Sequence, residues 1–212
     1  MDTSQLALIV ALIFSVVLHE MAHGYAANWL GDPTARLQGR LSANPLVHID
    51  PLMSVILPGL LIFSGAGFIF GAAKPVPYNP YNFTNQKWGE AIVAAAGPAA
   101  NLFIALVFAI LVRSAEVLQL PATFVTLAIS IIVLNIFLAF FNLVPIPPLD
   151  GSKILPKFLP FSLAMRYNDL RYKLEQNVAI SFAVVIVAFI LFLGPPLAKL
   201  TYTLTGLLVG SI

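Results

Sequence analysis

The chain has 212 residues, 59% hydrophobic and 9% charged, with a mean hydropathy of +0.93. A water-soluble domain carries roughly 25% charged residues, so this composition places the chain in a membrane, and its long apolar runs argue for helices over a barrel. A net charge of +2 is too small to point to nucleic acid, and the lack of any cysteine excludes disulfides and thiolate metal ligands.

The sequence opens Met1-Asp2-Thr3-Ser4, with no basic segment before the first apolar run, so a cleaved signal peptide is not expected. Gln5 to Leu30 reads as a first membrane helix, stopped by Gly31-Asp32-Pro33. It carries His19-Glu20-Met21-Ala22-His23. Two histidines four apart lie on one helix face and can grip one Zn²⁺. Glu20, one residue round, takes the place of a general base that reaches a water without holding the metal. The bland reading is a polar helix end meeting water. Against it, ionisable groups at membrane depth cost about 2.5–3.5 kcal/mol each on insertion scales, so their default meaning is functional.

Thr34 to Pro51 is polar and irregular, and Leu52 to Phe70 is apolar but broken by Pro58-Gly59 and Ser64-Gly65-Ala66-Gly67. Those breaks suit a re-entrant hairpin; a true span is the alternative. Lys74 to Pro80 is too rich in proline for a helix. Trp88–Arg113 and Pro121–Val144 read as further membrane helices, the second ended by Pro145, Pro147 and Pro148. Ser152–Glu175, the longest charged stretch, is expected at a membrane surface. Gln176–Leu193 reads as another span stopped by Gly194-Pro195-Pro196, and Ala198–Ile212 as a marginal last one. The fold class is an all-α polytopic membrane protein of about five to six membrane segments, with a re-entrant hairpin and a short strand near the active site. The chain reads as a single domain, 1–212, with a catalytic core at about 5–155 and C-terminal helices over 156–212.

Nine of the 11 Lys and Arg (Arg36, Arg40, Lys74, Lys87, Lys153, Lys157, Arg166, Arg171 and Lys173) can all lie on the cytoplasmic side if Leu52–Phe70 starts and finishes there. The helices bearing His23 and Val144 then both run inward, and Arg113 and Glu116 lie outside. A catalytic zinc takes three protein ligands. The candidates for the third are Asp32, His48, Asp50 and Asp150. The shared direction of the two helices favours Asp150, which the prolines and Gly151 can fold back to the depth of the histidines. Capping the next helix is its bland alternative. Asp32 reads as a turn residue, and His48 and Asp50 as loop residues or contacts to ligand or substrate. Asn101 and Asn135 read as interhelical glue, worth about 0.6 kcal/mol on average. Asn142, near Asp150, can donate to a developing oxyanion, serve as glue or anchor substrate.

With these residues in view, the sequence resembles the site-2 proteases, intramembrane zinc metalloproteases. The likeness rests on His19–His23, on Gly97-Pro98-Ala99-Ala100-Asn101, and on Asn142-Leu143-Val144-Pro145-Ile146-Pro147-Pro148-Leu149-Asp150-Gly151. Asn44–Pro51 and Lys74–Pro80 look like the small bacterial and archaeal members, which lack a PDZ domain. The resemblance implies His19, His23 and Asp150 as ligands of one Zn²⁺, Glu20 as catalytic base and Asn142 as a polar helper at the scissile peptide. It further implies a transmembrane protein substrate, the bilayer as surroundings and a multi-pass place in a prokaryotic plasma membrane, while the basic residues put the site toward the cytoplasm. A helical substrate must unwind to be cut. An edge at Ile69, Phe70, Gly71, Ala72 and Ala73, ended by Pro75 and Pro77, is expected to pair with it, with Val76 beyond that edge. A metal-ion transporter or metal-binding membrane protein is the alternative, as is an inactive relative that only binds membrane helices.

Overall fold

The computed structural model describes residues 3–51, 56 and 73–210. Helix α1, Thr3–Trp29, is apolar along almost its whole length. It ends at Gly31, whose φ of 103° is left-handed and disfavours a side chain. Asp32, at the turn, is buried and fixes the loops around it. Its Oδ1 accepts from Thr34 Oγ1 at 2.6 Å and Asn82 Nδ2 at 2.8 Å, and its Oδ2 accepts from the Asn79 N–H at 2.7 Å. Asp32 is thus the turn residue that its sequence setting suggests. Helix α2, Thr34–Leu37, and a 3₁₀ turn, Pro45–His48, follow.

Helices α3, Gly89–Arg113, and α4, Ala122–Asn142, form the most extensive contact of the bundle, and α1 packs on α3. Their seam is lined by Ala105, Ala109 and Val112 of α3 against Ala128, Ile132 and Ile136 of α4. Alanines four apart let the two backbones approach closely. That matters in lipid, where apolar side chains gain nothing by leaving one apolar medium for another and packing must hold the helices. A proline-rich turn with a cis Pro147–Pro148 peptide leads to the short α5, Gly151–Ile154, a 3₁₀ turn at Leu155–Lys157, and the surface helix α6, Phe161–Glu175.

At the C-terminus the structure corrects the expected stop at Gly194-Pro195-Pro196. Helix α7, Val178–Ala188, runs through a π-helical turn at Phe189–Leu193 into α8, Gly194–Val209, as one 32-residue apolar run. The Gly194 N–H bonds back to Phe189 O, five residues earlier, and this widened turn makes room for two proline rings that begin α8 without an N–H to satisfy. Helix α8 packs on α4 and α3. Arg113, at the end of α3, donates to Leu208 O at 2.5 Å and Leu207 O at 2.9 Å, covering the last carbonyls of α8.

Among the described residues there is no strand, and four helical runs are long and apolar enough to cross a membrane: Gln5–Trp29, Gly89–Arg113, Ala122–Asn142 and Val178–Val209. The expected re-entrant hairpin at Leu52–Phe70, Ile56 apart, and the expected edge residues Ile69, Phe70, Gly71 and Ala72 lie outside the described residues. Ala73 to Asn79 has no regular structure.

Candidate metal centre

Three elements far apart in sequence meet at the buried face of α1. His19 and His23 stand one turn apart with their rings edge to face, 4.6 Å between centroids. The sequence just before α5 brings Asp150 to them: its Oδ2 lies 3.2 Å from His19 Nε2 and 3.3 Å from His23 Nε2. All three side chains are buried. Gly151 permits the return of the chain, through close approach and not through an unusual φ: a Cβ there would collide with Leu143 O and sit 2.6 Å from Val144 O.

The hydrogen bonds around the rings fix which nitrogen of each carries the proton. Ile131 O is a pure acceptor, so Asn135 turns its Nδ2 toward it, at 2.9 Å, and toward Ser15 Oγ, at 3.0 Å. Asn135 Oδ1 is left to accept from Asn101 Nδ2 at 2.9 Å. Asn101 Oδ1 then accepts from His19 Nδ1 at 2.6 Å. His23 Nδ1 donates to Val93 O at 2.7 Å. With both Nδ1 positions protonated, the neutral rings aim two Nε2 lone pairs at a carboxylate oxygen. Three acceptors so arranged repel unless a proton or a cation lies among them. Donors bound tetrahedrally at 2.0–2.1 Å stand about 3.3 Å apart, and the two histidine–carboxylate separations, 3.2 and 3.3 Å, match that edge. The donor set is therefore of the kind that suits a zinc ion, and among the described residues it is the group of His, Asp and Glu side chains close enough to share one.

One feature of α3 makes room for it. A Cβ on Gly97 would lie 2.5 Å from Nε2 of both histidines, so glycine there opens the centre toward α3. Pro98, next to Gly97, takes one backbone N–H out of a helix that continues unbroken. Neither Gly97 nor the Val93 carbonyl emerged as a site feature from the sequence, although Gly97 and Asn101, one turn apart, share a face that could have signalled it.

Glu20 faces another way. Its Oε2 accepts the Val76 N–H at 2.9 Å. Val76 is buried, with its Cγ1 beside the position a Gly24 Cβ would occupy, so its side chain packs against α1 next to Glu20. The segment is held from below. Lys74 N–H donates to His48 O at 2.8 Å, and the Arg40 guanidinium donates to Lys74 O at 2.6 Å, to Pro75 O at 3.2 Å and to Val47 O. His48 itself contacts Ser42 O at 2.9 Å through Nε2, and it serves this loop rather than the histidine pair. Asn142 donates to Leu138 O of its own helix at 2.9 Å.

Burial opposes ionisation of Asp150, but its contacts to both histidines hold the carboxyl well below the usual carboxylate range. Lys153, one turn on, lies 5.5 Å from the centre of the Tyr78 ring. Burial disfavours its charge; Tyr78, Asp150, Glu175 and Glu20 more than offset that, and its ammonium holds its proton more firmly than an ordinary lysine. This cation beside the carboxylates was also missed by the sequence reading.

Comparison with known proteins gives the same direction. The profile described as Peptidase family M50 matches residues 115–193, a range that includes Asp150. YwhC of Bacillus subtilis, whose name assigns it zinc metalloprotease activity by inference, is 36% identical over 193 residues, covering 88% of this chain and 81% of that protein. Two others are named in the same way. Rip2 of Mycolicibacterium smegmatis is 35% identical over 148 residues, 69% of this chain and 55% of its own length. MJ0611 of Methanocaldococcus jannaschii is 34% identical over 155 residues, 73% of this chain and 75% of its own. No solved structure matches the chain. A relative so similar over most of both lengths, joined to a buried His, His, Asp cluster on membrane-type helices, places the chain in peptidase family M50, the site-2 proteases.

Proposed function

We propose that the chain is an intramembrane zinc metalloprotease that hydrolyses peptide bonds in or near transmembrane segments of other proteins. The observation that carries the reading is the convergence of His19 Nε2, His23 Nε2 and Asp150 Oδ2 with both Nδ1 positions already engaged. In this reading those three atoms hold the zinc. A zinc ion bound there supplies Lewis acidity, activating water and polarising the scissile carbonyl. Glu20 takes a proton from the attacking water and delivers it to the departing amine. Oε2 of Glu20 accepts the Val76 N–H, and in this reading Oε1 is the oxygen that meets the water. Asn101 and Val93 keep the rings in the ligating tautomer, and Asn142 serves the scissile peptide as a polar helper once its amide leaves Leu138 O.

The substrate edge is proposed over Ile69, Phe70, Gly71, Ala72 and Ala73. On its C-terminal side the N–H groups of Lys74 and Val76 are engaged and Pro75 and Pro77 have none, which supports placing the substrate-facing donors before Lys74. Ala72→Pro is expected to slow cleavage at unchanged zinc content. Equal rates for this variant and wild type would remove the edge from the mechanism. The topology proposed is the one with the site toward the cytoplasm, in a prokaryotic plasma membrane, with the Leu52–Phe70 hairpin re-entrant.

The test measures zinc content and cleavage of a membrane-peptide substrate in detergent. Glu20→Gln is expected to keep zinc and lose cleavage about a hundredfold or more. His19→Ala, His23→Ala and Asp150→Ala are each expected to lose both. A Glu20→Gln protein that still cleaves, or a wild type that moves metal across liposomes and cleaves nothing, overturns the reading.

A further inference from the structure

Helix α6 has three kinds of face, and the metal centre explains only one. Ala164, Tyr167, Arg171 and Leu174 are the partly buried positions, turned toward the protein. Two of them reach the elements that build the centre. Arg171 Nη2 pairs with Glu90 Oε1 at 3.0 Å, one turn before Val93, and Tyr167 OH donates to Pro145 O at 3.1 Å, in the turn that delivers Asp150. Roughly opposite lie Ser162, Arg166, Asp169 and Lys173, all exposed and polar. Between these faces on one side, within a sector of roughly 40°, stand Phe161, Met165 and Tyr172, which are 81%, 52% and 66% exposed; on the other side stand Leu163 and Leu170, 50% and 54% exposed. A soluble surface seldom shows a large apolar stripe without a covering.

We infer that this stripe lies in the boundary between headgroups and acyl chains of the leaflet nearest the metal centre, so that α6 is an interfacial helix. Four observations name the lipid as its occupant. The helix is strung between two membrane runs, with α4 ending at Asn142 and α7 starting at Val178. Just before the helix, Phe158 is 71% exposed and its ring meets Trp88 edge-on at 5.6 Å. Trp88 is the N-cap of the span α3, the level at which tryptophan marks a membrane surface, and Lys87 Nζ lies 5.9 Å from its ring centre. Arg166 and Lys173 stand on the polar face, with Asp169 and Ser162 between them and the stripe, so the face carries two basic groups for anionic headgroups and one acidic one. The inner-face contacts to Glu90 and Pro145 then tie the depth of this helix in the leaflet to the two elements that hold the histidines and Asp150.

The inference rests on the membrane placement of the spans and not on the catalytic reading, so the two fail separately. The chain has no cysteine, which makes single-cysteine labelling clean. Phe161→Cys, Met165→Cys, Tyr172→Cys, Ser162→Cys and Asp169→Cys would each carry an environment-sensitive dye in vesicles of phosphatidylethanolamine and phosphatidylglycerol. Labels at 161, 165 and 172 are expected to be quenched several-fold more by a nitroxide on the lipid chains than by aqueous iodide, and labels at 162 and 169 the reverse. The stripe is sampled three times, so loss of one variant to misfolding leaves the others. Quenching of 165 and 172 by iodide overturns the inference. So does shielding from both quenchers, which would mean a second copy or another protein covers the stripe.

Discussion

Asn101 gives its amide to Asn135 and its carbonyl to His19, and this decides which nitrogen of His19 faces the cluster. Asn101→Leu keeps the side-chain volume and removes the acceptor. It is expected to lower zinc affinity about 10–100-fold, the usual cost of losing the partner that orients a metal-bound imidazole, while leaving the helix bundle folded. A zinc titration checks this, and unchanged affinity would return Asn101 to a role as glue. His19, Glu20 and His23 stood out in the sequence because ionisable side chains at helical spacing in an apolar run have few other uses, whereas Asp150 was one of four candidates, favoured by the shared direction of two helices. Asn101 was legible only as a polar residue in a span, since an amide serves a neighbouring helix and a histidine equally well. The Val93 carbonyl had no signature at all, because every residue carries one and only the packing of α3 selects it. Asn142 stands between: its place beside the proline-rich turn was read from sequence, but in the structure its amide is occupied within α4.

The loops that surround the centre hang from Asp32. Its carboxylate accepts from Thr34, Asn79 and Asn82, fastening the end of α1 to the segment after Val76. Hydrogen bonds to a charged acceptor are worth about 1.5–3 kcal/mol, so Asp32→Ala is expected to destabilise by at least about 2 kcal/mol. Burial opposes the charge of Asp32, yet those donors prevail and its carboxyl is held below the ordinary carboxylate range. A carboxyl depressed in the folded state stabilises in full above its unfolded pKa, and that contribution is lost as pH falls through the folded pKa. The stability gap between wild type and Asp32→Asn, followed by thermal unfolding in detergent, is therefore expected to be full at neutral pH and to close below about pH 4. A gap that stays constant into acid would show that the carboxylate charge is not what holds the loops. The extents of α1, α3 and α4 followed from apolar length and from Gly31, Pro121 and Pro145. The run from α7 to α8 did not, because Gly194-Pro195-Pro196 reads as a stop and only a widened backbone turn, invisible in side-chain pattern, lets the helix continue.

For the molecule as a whole, the basic residues set an expected orientation that labelling can check. Cysteines at Arg40, Lys87 and Arg171 should react only from the cytoplasm and one at Glu116 only from outside; reaction of Arg40 and Lys87 positions from opposite sides would make Leu52–Phe70 a true span. The bundle accounts for why composition revealed so much of the architecture and so little of the wiring. Lipid demands long apolar helices, which leaves a plain trace, whereas the contacts that aim the functional groups are single hydrogen bonds between distant segments. The bond from the Val76 N–H to Glu20 has a particular outcome at this scale. Arg40 and His48 anchor the same strip of chain, so whatever tugs on Lys74–Val76 also tugs on Glu20. Under the proposed mechanism, a shift of this strip would therefore also release the Glu20 carboxylate from the N–H that holds it.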